Sequence, residues 1–292
     1  MSVATRQTVA RAELFRALAA CLAPPGVGLV GVVDALGLPD VPSVADHTDL
    51  FLFQLHPFAS VHLDPDGQLG GVSRDRVAGF LRALEVTPPP EPDHLVVLVE
   101  AYASLIDLDG GVGTRARLAR TVLLHEHLWT WAPRFLARVG ELGGPFHREV
   151  AGLLSRALVD EVAELGTPPG LPAPLLDVAP MTDPRDGEAA SFLTDLLAPV
   201  RSGLVLARAD LARAARALGL GLRIGERAYL LRALLAQDAV ATLRFLAEEA
   251  RRQRDLVPDV DPVTGYWRDR ADATASLLDE LVADGASTPV AG

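Results

Sequence analysis

The sequence contains no lysine, and all 27 of its basic residues are arginine. A phosphate-cradling loop of the Walker kind ends on a lysine, so that class of nucleotide site is excluded. The one glycine-rich stretch that invites the comparison, "DGGVGTR" at 109–115, follows no strand signal and reads as a helix end and a loop. Cysteine is almost as scarce. Cys21 is the single thiol, which excludes an internal disulfide and fits a reducing compartment, and neither it nor any serine sits in a nucleophile motif. Aromatic residues make up only 5% of the chain, and runs of the β-forming residues Ile, Thr and Tyr are missing. No uncharged apolar window reaches the ~18 residues of a membrane span. Positive charge is also short. A net charge of −11 argues against general nucleic-acid binding, which needs a basic footprint.

What remains is leucine, alanine and valine, which carry most of a 49% hydrophobic content and favour or tolerate helix. The expectation is an all-α protein, cytoplasmic, with no stable membrane insertion. The "LAAC" box at 18–21 resembles a lipoprotein cleavage site. However, Arg11, Glu13 and Arg16 interrupt the run before it, where a signal segment needs unbroken apolar residues. Leu14, Phe15, Leu18 and Leu22 are spaced instead for one face of a helix over 7–23.

Further helices are expected over 28–37 and 45–55, then a loop over 56–72 with turn chemistry at Asp64-Pro65-Asp66-Gly67 and Gly70-Gly71. Ser73 is placed to cap the next helix, whose apolar positions are Val77, Phe80, Leu81 and Leu84. A helix over 94–108 has Leu95, Leu98, Val99, Tyr102, Leu105 and Ile106 at a 3.6-residue period, and Gly110-Gly111 is expected to stop it. Thr114 is read as the cap of a helix running to about 131. Pro133 starts or kinks its continuation, and Pro145 opens a helix to about 165.

Residues 166–187 contain a proline run with little helical capacity, so the domains are drawn as 1–165, a linker at 166–187 and a second helical unit at 188–292. Within the last, residues 188–256 carry 11 Arg against 8 acids and the remaining tail carries 2 Arg against 7 acids. The acidity therefore resides in the first domain and the tail. Residues 209–235 suggest a helix-turn-helix only faintly, because the helix after the turn has a core pattern rather than a recognition surface.

Two stretches invite chemistry. His125 and His127 in "HEH" are two residues apart, so on a helix they point about 200° from each other and do not chelate one ion. The i, i+4 spacing of a helical zinc pair is absent. The other stretch is "PPPEPDHL" at 88–95. Asp93 and His94 there are an acid–base pair, a metal foothold, or a helix cap. Asp93 after Pro92 suits the N-cap, His94 at the positive end of the helix dipole is disfavoured as a cation, and no third member or nucleophile is in view. Residue chemistry alone favours a cap beside an exposed histidine.

Several stretches together resemble the TorD/DmsD/NarJ family of redox-enzyme maturation chaperones, over roughly 45–165. They are "HPFASVHLDPDGQLGG", the amphipathic "VAGFLRALEV", the hinge "EPDHL", "EHLWTWAPRF" with His127, Leu128, Trp131 and Phe135, and "GPFHREVAGLL". The resemblance implies a helical chaperone, not an enzyme. It would bind the twin-arginine signal peptide of a molybdopterin-containing oxidoreductase and hold the apo-form of that subunit for cofactor insertion and export. It implies no cofactor beyond the weak guanine-nucleotide binding of some relatives, and a homodimer by domain swapping of the sort the proline-rich linker permits. A helical assembly factor without signal recognition is the alternative.

A receptor for Arg-Arg beside an apolar segment needs carboxylates bordering an apolar groove. Here Glu91, Asp93 and Glu100 flank the helix that bears Leu95 and Leu98, with Phe80 as a neighbouring anchor; the resemblance places Asp93 and His94 at the peptide-binding hinge, with His127 and Trp131 in the matching helix beside it. Three positions depart from the family pattern. Glu85 stands where a glycine turn is usual, Thr130 where proline is common, and His62 where an aromatic residue is common. The stretch from 188 on extends beyond the basic family unit, and Arg201 and Ser202, in a loop after Pro199, are read as contacting a client or closing over the groove.

Overall fold

The computed structural model describes residues 3–109, 114–168, 170–186, 189–257 and 259–287. Among these residues the secondary structure is helical, and the strand content is one isolated antiparallel bridge between Phe58 and His94. The all-α expectation holds. The chain separates into two compact units, one of residues 1–64 and 68–176, the other of 65–67 and 177–292.

The first unit contains α1 (Val3–Leu22), α2 (Leu29–Leu36), α3 (Val44–Thr48), α4 (Ala59–Leu63), α5 (Gly71–Ala83), α6 (Leu95–Leu108), α7 (Arg115–Val122), α8 (Ala132–Leu142), α9 (Pro145–Leu165) and α10 (Ala173–Leu176). Two of these helices end in wider turns: α3 runs into a π-helical segment, Asp49–Gln54, and α7 into another, Leu123–Leu128. Helices α1, α6 and α9 form the centre of the unit, where Phe15, Val99, Tyr102, Ile106, Leu154 and Leu158 are fully buried or nearly so. The edge of Phe15 meets the Tyr102 ring at 5.0 Å, the favourable arrangement for aromatic pairs.

A buried polar knot ties these helices together. Tyr102 donates to Glu161 at 2.5 Å, and the Arg11 guanidinium donates to the same carboxylate at 2.9 and 3.0 Å. Arg120 reaches Asp109 at 2.6 Å, Glu164 at 2.7 Å and Glu161 at 3.4 Å. Burial works against the Arg120 charge, but Glu164, Tyr102 and Glu161 outweigh it and hold its pKa above the ordinary value. Burial and the Glu161 charge together push the Tyr102 hydroxyl far above its usual range.

Several expected boundaries hold and others move. Thr114 caps α7, accepting from the Arg117 amide at 3.1 Å, and Pro145 opens α9. Gly110 and Gly111 lie outside the described residues. The expected loop over 56–72 contains α4, and all five residues of that helix are buried. Ser73 is not the cap of α5, which begins two residues earlier, after Gly70. Instead the buried Asp64 carboxylate accepts from the Ser73 amide at 3.0 Å and from its hydroxyl, capping the helix from outside its own sequence. Gly71, at φ 76°, allows this, because a Cβ there would collide with the Asp64 carboxylate.

The second unit contains α11 (Ala189–Leu197), α12 (Pro199–Ser202), α13 (Arg208–Leu218), α14 (Arg227–Gln237), α15 (Ala239–Arg254) and α16 (Pro262–Ser287). Leu211, Leu231, Leu246 and Leu278 are central to its core. Helices α13 and α14 are joined by residues 219–226, longer than the turn of about three to four residues in a helix-turn-helix. Arg201 pairs with Asp195 at 3.3 Å and donates to the Pro65 carbonyl at 3.1 Å. Ser202 is fully buried, so a direct contact from it to a client is ruled out.

Candidate functional site

The segment 88–95 closes against 57–60. Ala59 donates its amide to the Asp93 carbonyl at 3.0 Å, and Leu95 donates to the Pro57 carbonyl at 2.8 Å. Asp93 is 1% exposed, and its carboxylate accepts from the Ser60 amide at 3.0 Å. This corrects the cap reading. Asp93 caps α4, not α6, and the N-cap of α6 is His94, whose Nδ1 accepts from the Val96 amide at 3.1 Å. The bond requires an unprotonated Nδ1 and leaves the ring proton on Nε2. Burial lowers the pKa of His94 despite the opposing charges of Glu91 and Asp93, so the neutral ring that the cap needs is the favoured form.

His94 is therefore half-buried rather than exposed, with its ring edge-on to Phe58 at 4.8 Å. Arg74 donates to the Pro90 carbonyl at 3.0 Å and holds the proline run against α5. Beside this clasp lies an aromatic stack. His62 lies parallel to Trp131 at 4.9 Å and meets Phe135 at 5.3 Å, while the Trp131 indole donates to the His127 carbonyl at 2.8 Å. His62 thus fills an aromatic role with an imidazole ring. Thr130 is fully buried at the end of the π-helical turn, with its hydroxyl donating to the Glu126 carbonyl at 3.4 Å.

Of the residues assigned to binding, Asp93, Leu95, Leu98, His127 and Trp131 lie inside the unit, and Glu91, half-buried His94 and half-buried Phe80 reach its surface. Phe80 packs against the His127 ring at 5.1 Å. Burial pushes the His127 pKa down to about 4, with the Arg76 charge adding to the effect.

An apolar groove, which the spacing of residues did not reveal, opens where the ends of α5 and α6 meet α7. It has a volume of about 460 Å³, and its lining includes Leu84, Val86, Ala101, Leu105, Leu108 and Ala119. Val86 and Leu108 are 49% and 69% exposed, which is unusual for such large apolar side chains at adjoining positions. The wall at Leu84 and Val86 is turned into place by Glu85 at φ 65°, a left-handed conformation that favours glycine. The turn expected of a glycine is made here by a glutamate. One signal for the groove was present: "LVVLVEAYASLIDL" is apolar on nearly every face, and a helix of that kind has either all sides buried or one side waiting for a partner.

The hinge and the groove stand at opposite ends of α6, whose 14 residues span about 21 Å. The exposed Glu91 and Glu100 lie at the hinge end and along the helix. The unit is thus all-helical among its described residues, with an open apolar groove at one end of α6. In comparison with known families, the model of the nitrate reductase delta subunit matches residues 42–137, a third of the chain. The match takes in the clasp, the aromatic stack and all three groove walls, and stops within α8. No curated protein sequence matches the chain.

Proposed function

We propose that this protein is an assembly chaperone for a molybdopterin-containing oxidoreductase, acting in the cytoplasm, and that it holds the enzyme's apo subunit through a twin-arginine signal peptide. The observation that carries the reading is the apolar groove of α5, α6 and α7 within the stretch similar to the nitrate reductase delta subunit. The groove suits the apolar part of such a signal, and Glu91 and Glu100 suit its arginines. About six residues of extended peptide cover the length of α6 at ~3.3 Å each. Asp93, Leu95, Leu98, His127 and Trp131 then serve from inside, holding the clasp and helices that present Glu91, His94 and Phe80.

Titration with a twin-arginine signal peptide tests this. Leu108→Asp and Val86→Asp alter exposed side chains, so they should leave the fold intact and weaken binding at least about tenfold. An Arg-Arg to Gln-Gln peptide should weaken it comparably. Equal binding of both peptides, with the groove variants silent, would sink the signal-peptide reading. A general assembly factor would then be the better description.

A further inference from the structure

Helices α13 and α14 of the second unit are joined by residues 219–226, "GLGLRIGE", and this connection carries an apolar tip. Ile224 is fully exposed, at 101%, and Leu222 is 47% exposed. The tip is held from both sides. Gly219, at φ 67°, turns the chain out of α13, and Leu220 donates its amide to the Ala215 carbonyl at 2.9 Å. Gln237 grips Gly221: its side-chain oxygen accepts from the Gly221 amide at 2.8 Å, and its side-chain nitrogen donates to the Gly221 carbonyl at 2.9 Å. Arg223 donates to the Tyr229 hydroxyl at 3.0 Å, which ties the tip to the first turn of α14. Two large apolar side chains are therefore presented to water by backbone that is fixed elsewhere.

The surroundings are basic. Residues 208–237 carry six arginines against two acids, Asp210 and Glu226, a net +4 in a chain whose net charge is −11. Two of those arginines are engaged within the unit: Arg213 pairs with Asp210 at 2.8 Å and Glu249 at 3.0 Å, and Arg227 donates to the Leu206 carbonyl at 2.9 Å. Arg216, in the last turn of α13, and Arg223, in the loop itself, are exposed. Tyr229 is exposed as well, and a ring with a hydroxyl at its end suits a boundary between water and an apolar phase.

We propose that this loop is a contact to an anionic lipid surface, with Leu222 and Ile224 entering the headgroup layer and Arg216 and Arg223 facing lipid phosphates. Two observations favour lipid over a protein partner. The apolar side chains of a single tip fall far short of the roughly 800 Å² that a stable protein interface covers on each side, and a projection needs a matching hollow in a protein, whereas a headgroup layer admits it without one. The local excess of arginine selects anionic lipid, because attraction to such a surface adds to the apolar contribution. No described helix is long and apolar enough to cross a membrane, so the contact is peripheral and reversible. The proposal is independent of what the first unit binds.

Sedimentation of the full chain with vesicles tests this. Vesicles of phosphatidylglycerol and phosphatidylcholine in equal parts should bind it at least about tenfold more strongly than phosphatidylcholine alone, and added salt should reduce the difference. Ile224→Asp, at a fully exposed position, should leave the melting temperature unchanged and weaken binding at least about tenfold. Arg216→Gln and Arg223→Gln should each weaken it about fivefold. In Ile224→Trp, the added indole emission should move to shorter wavelength with the anionic vesicles and stay in place with phosphatidylcholine. Equal binding to both kinds of vesicle, binding to neither, or unchanged binding by Ile224→Asp overturns the lipid contact. If vesicles are ignored while Ile224→Asp abolishes binding of a client subunit, the tip is a protein contact and the proposal is likewise overturned.

Discussion

Glu85 and Asp93 show how single residues set the candidate site. Glu85 holds φ 65°, a conformation that costs a side-chain-bearing residue about 1–2 kcal/mol. Its compensation is an ion pair to Arg115 at 3.7 Å between two exposed side chains, worth little in water. Glu85→Gly should therefore stabilise the first unit by about 1 kcal/mol, seen as a rise of roughly 2–4 °C in its melting temperature; a fall would mean that the glutamate makes a contact of greater value. Asp93 presents the opposite case. Asp93→Ala removes the acceptor of the buried Ser60 amide and should cost about 1–3 kcal/mol, whereas Asp93→Asn retains an acceptor and should recover most of it. The pair of variants separates a structural loss from a loss of peptide binding, because only the first is restored by asparagine.

Among the elements, α6 is tied to its neighbours by charge as well as by packing. Tyr102, Glu161, Arg120 and Arg11 lie on α6, α9, α7 and α1 respectively. Without Glu161, Arg120 keeps Asp109 and Glu164 and Arg11 keeps Glu164, but the buried Tyr102 hydroxyl loses its acceptor. Glu161→Leu should accordingly cost about 1–3 kcal/mol in denaturant unfolding. Tyr102→Phe, which leaves both arginines on the carboxylate, should cost about 1 kcal/mol. Elements of this kind were largely legible in the sequence, since α6 and α9 follow from a 3.6-residue apolar period and from Pro145. What the sequence concealed are features made by distant partners. Asp64 capping α5, Asp93 capping α4 and the small helix inside the expected loop each depend on a contact between segments, which local propensity does not encode. The groove stayed hidden for a related reason: an apolar period reports which residues avoid water, and does not report where neighbouring helices leave a gap.

For the whole molecule, acid should act on the two units over different ranges of pH. Burial holds His127 and His147 of the first unit at pKa values of about 4, below the ~6.5 of an unfolded chain. Neutral rings are what the fold accommodates, so their contribution is complete above about pH 6.5 and is lost as pH falls toward 4, by up to about 3 kcal/mol each. In the second unit burial opposes the Glu249 charge, but hydrogen bonds from Arg252 and Gln253 and the nearby charges of Arg252 and Arg213 bring its pKa to about 2. That contribution is present above about pH 4.5 and fades as pH falls toward 2. Trp129 and Trp131 report on the first unit and Trp267 on the second. A Trp267→Phe variant should therefore show fluorescence loss beginning at higher pH than the signal assigned to Trp267. A single coincident transition would refute independent acid responses.

The bridge between Phe58 and His94 has a mechanical meaning. Amide bonds on either side of it pin both ends of the chain between Pro57 and Leu95 at one place, so α4, α5 and the proline run form a closed ring rather than an open excursion. Helix α5 carries one wall of the groove on that ring, and it has no loose end by which to fray.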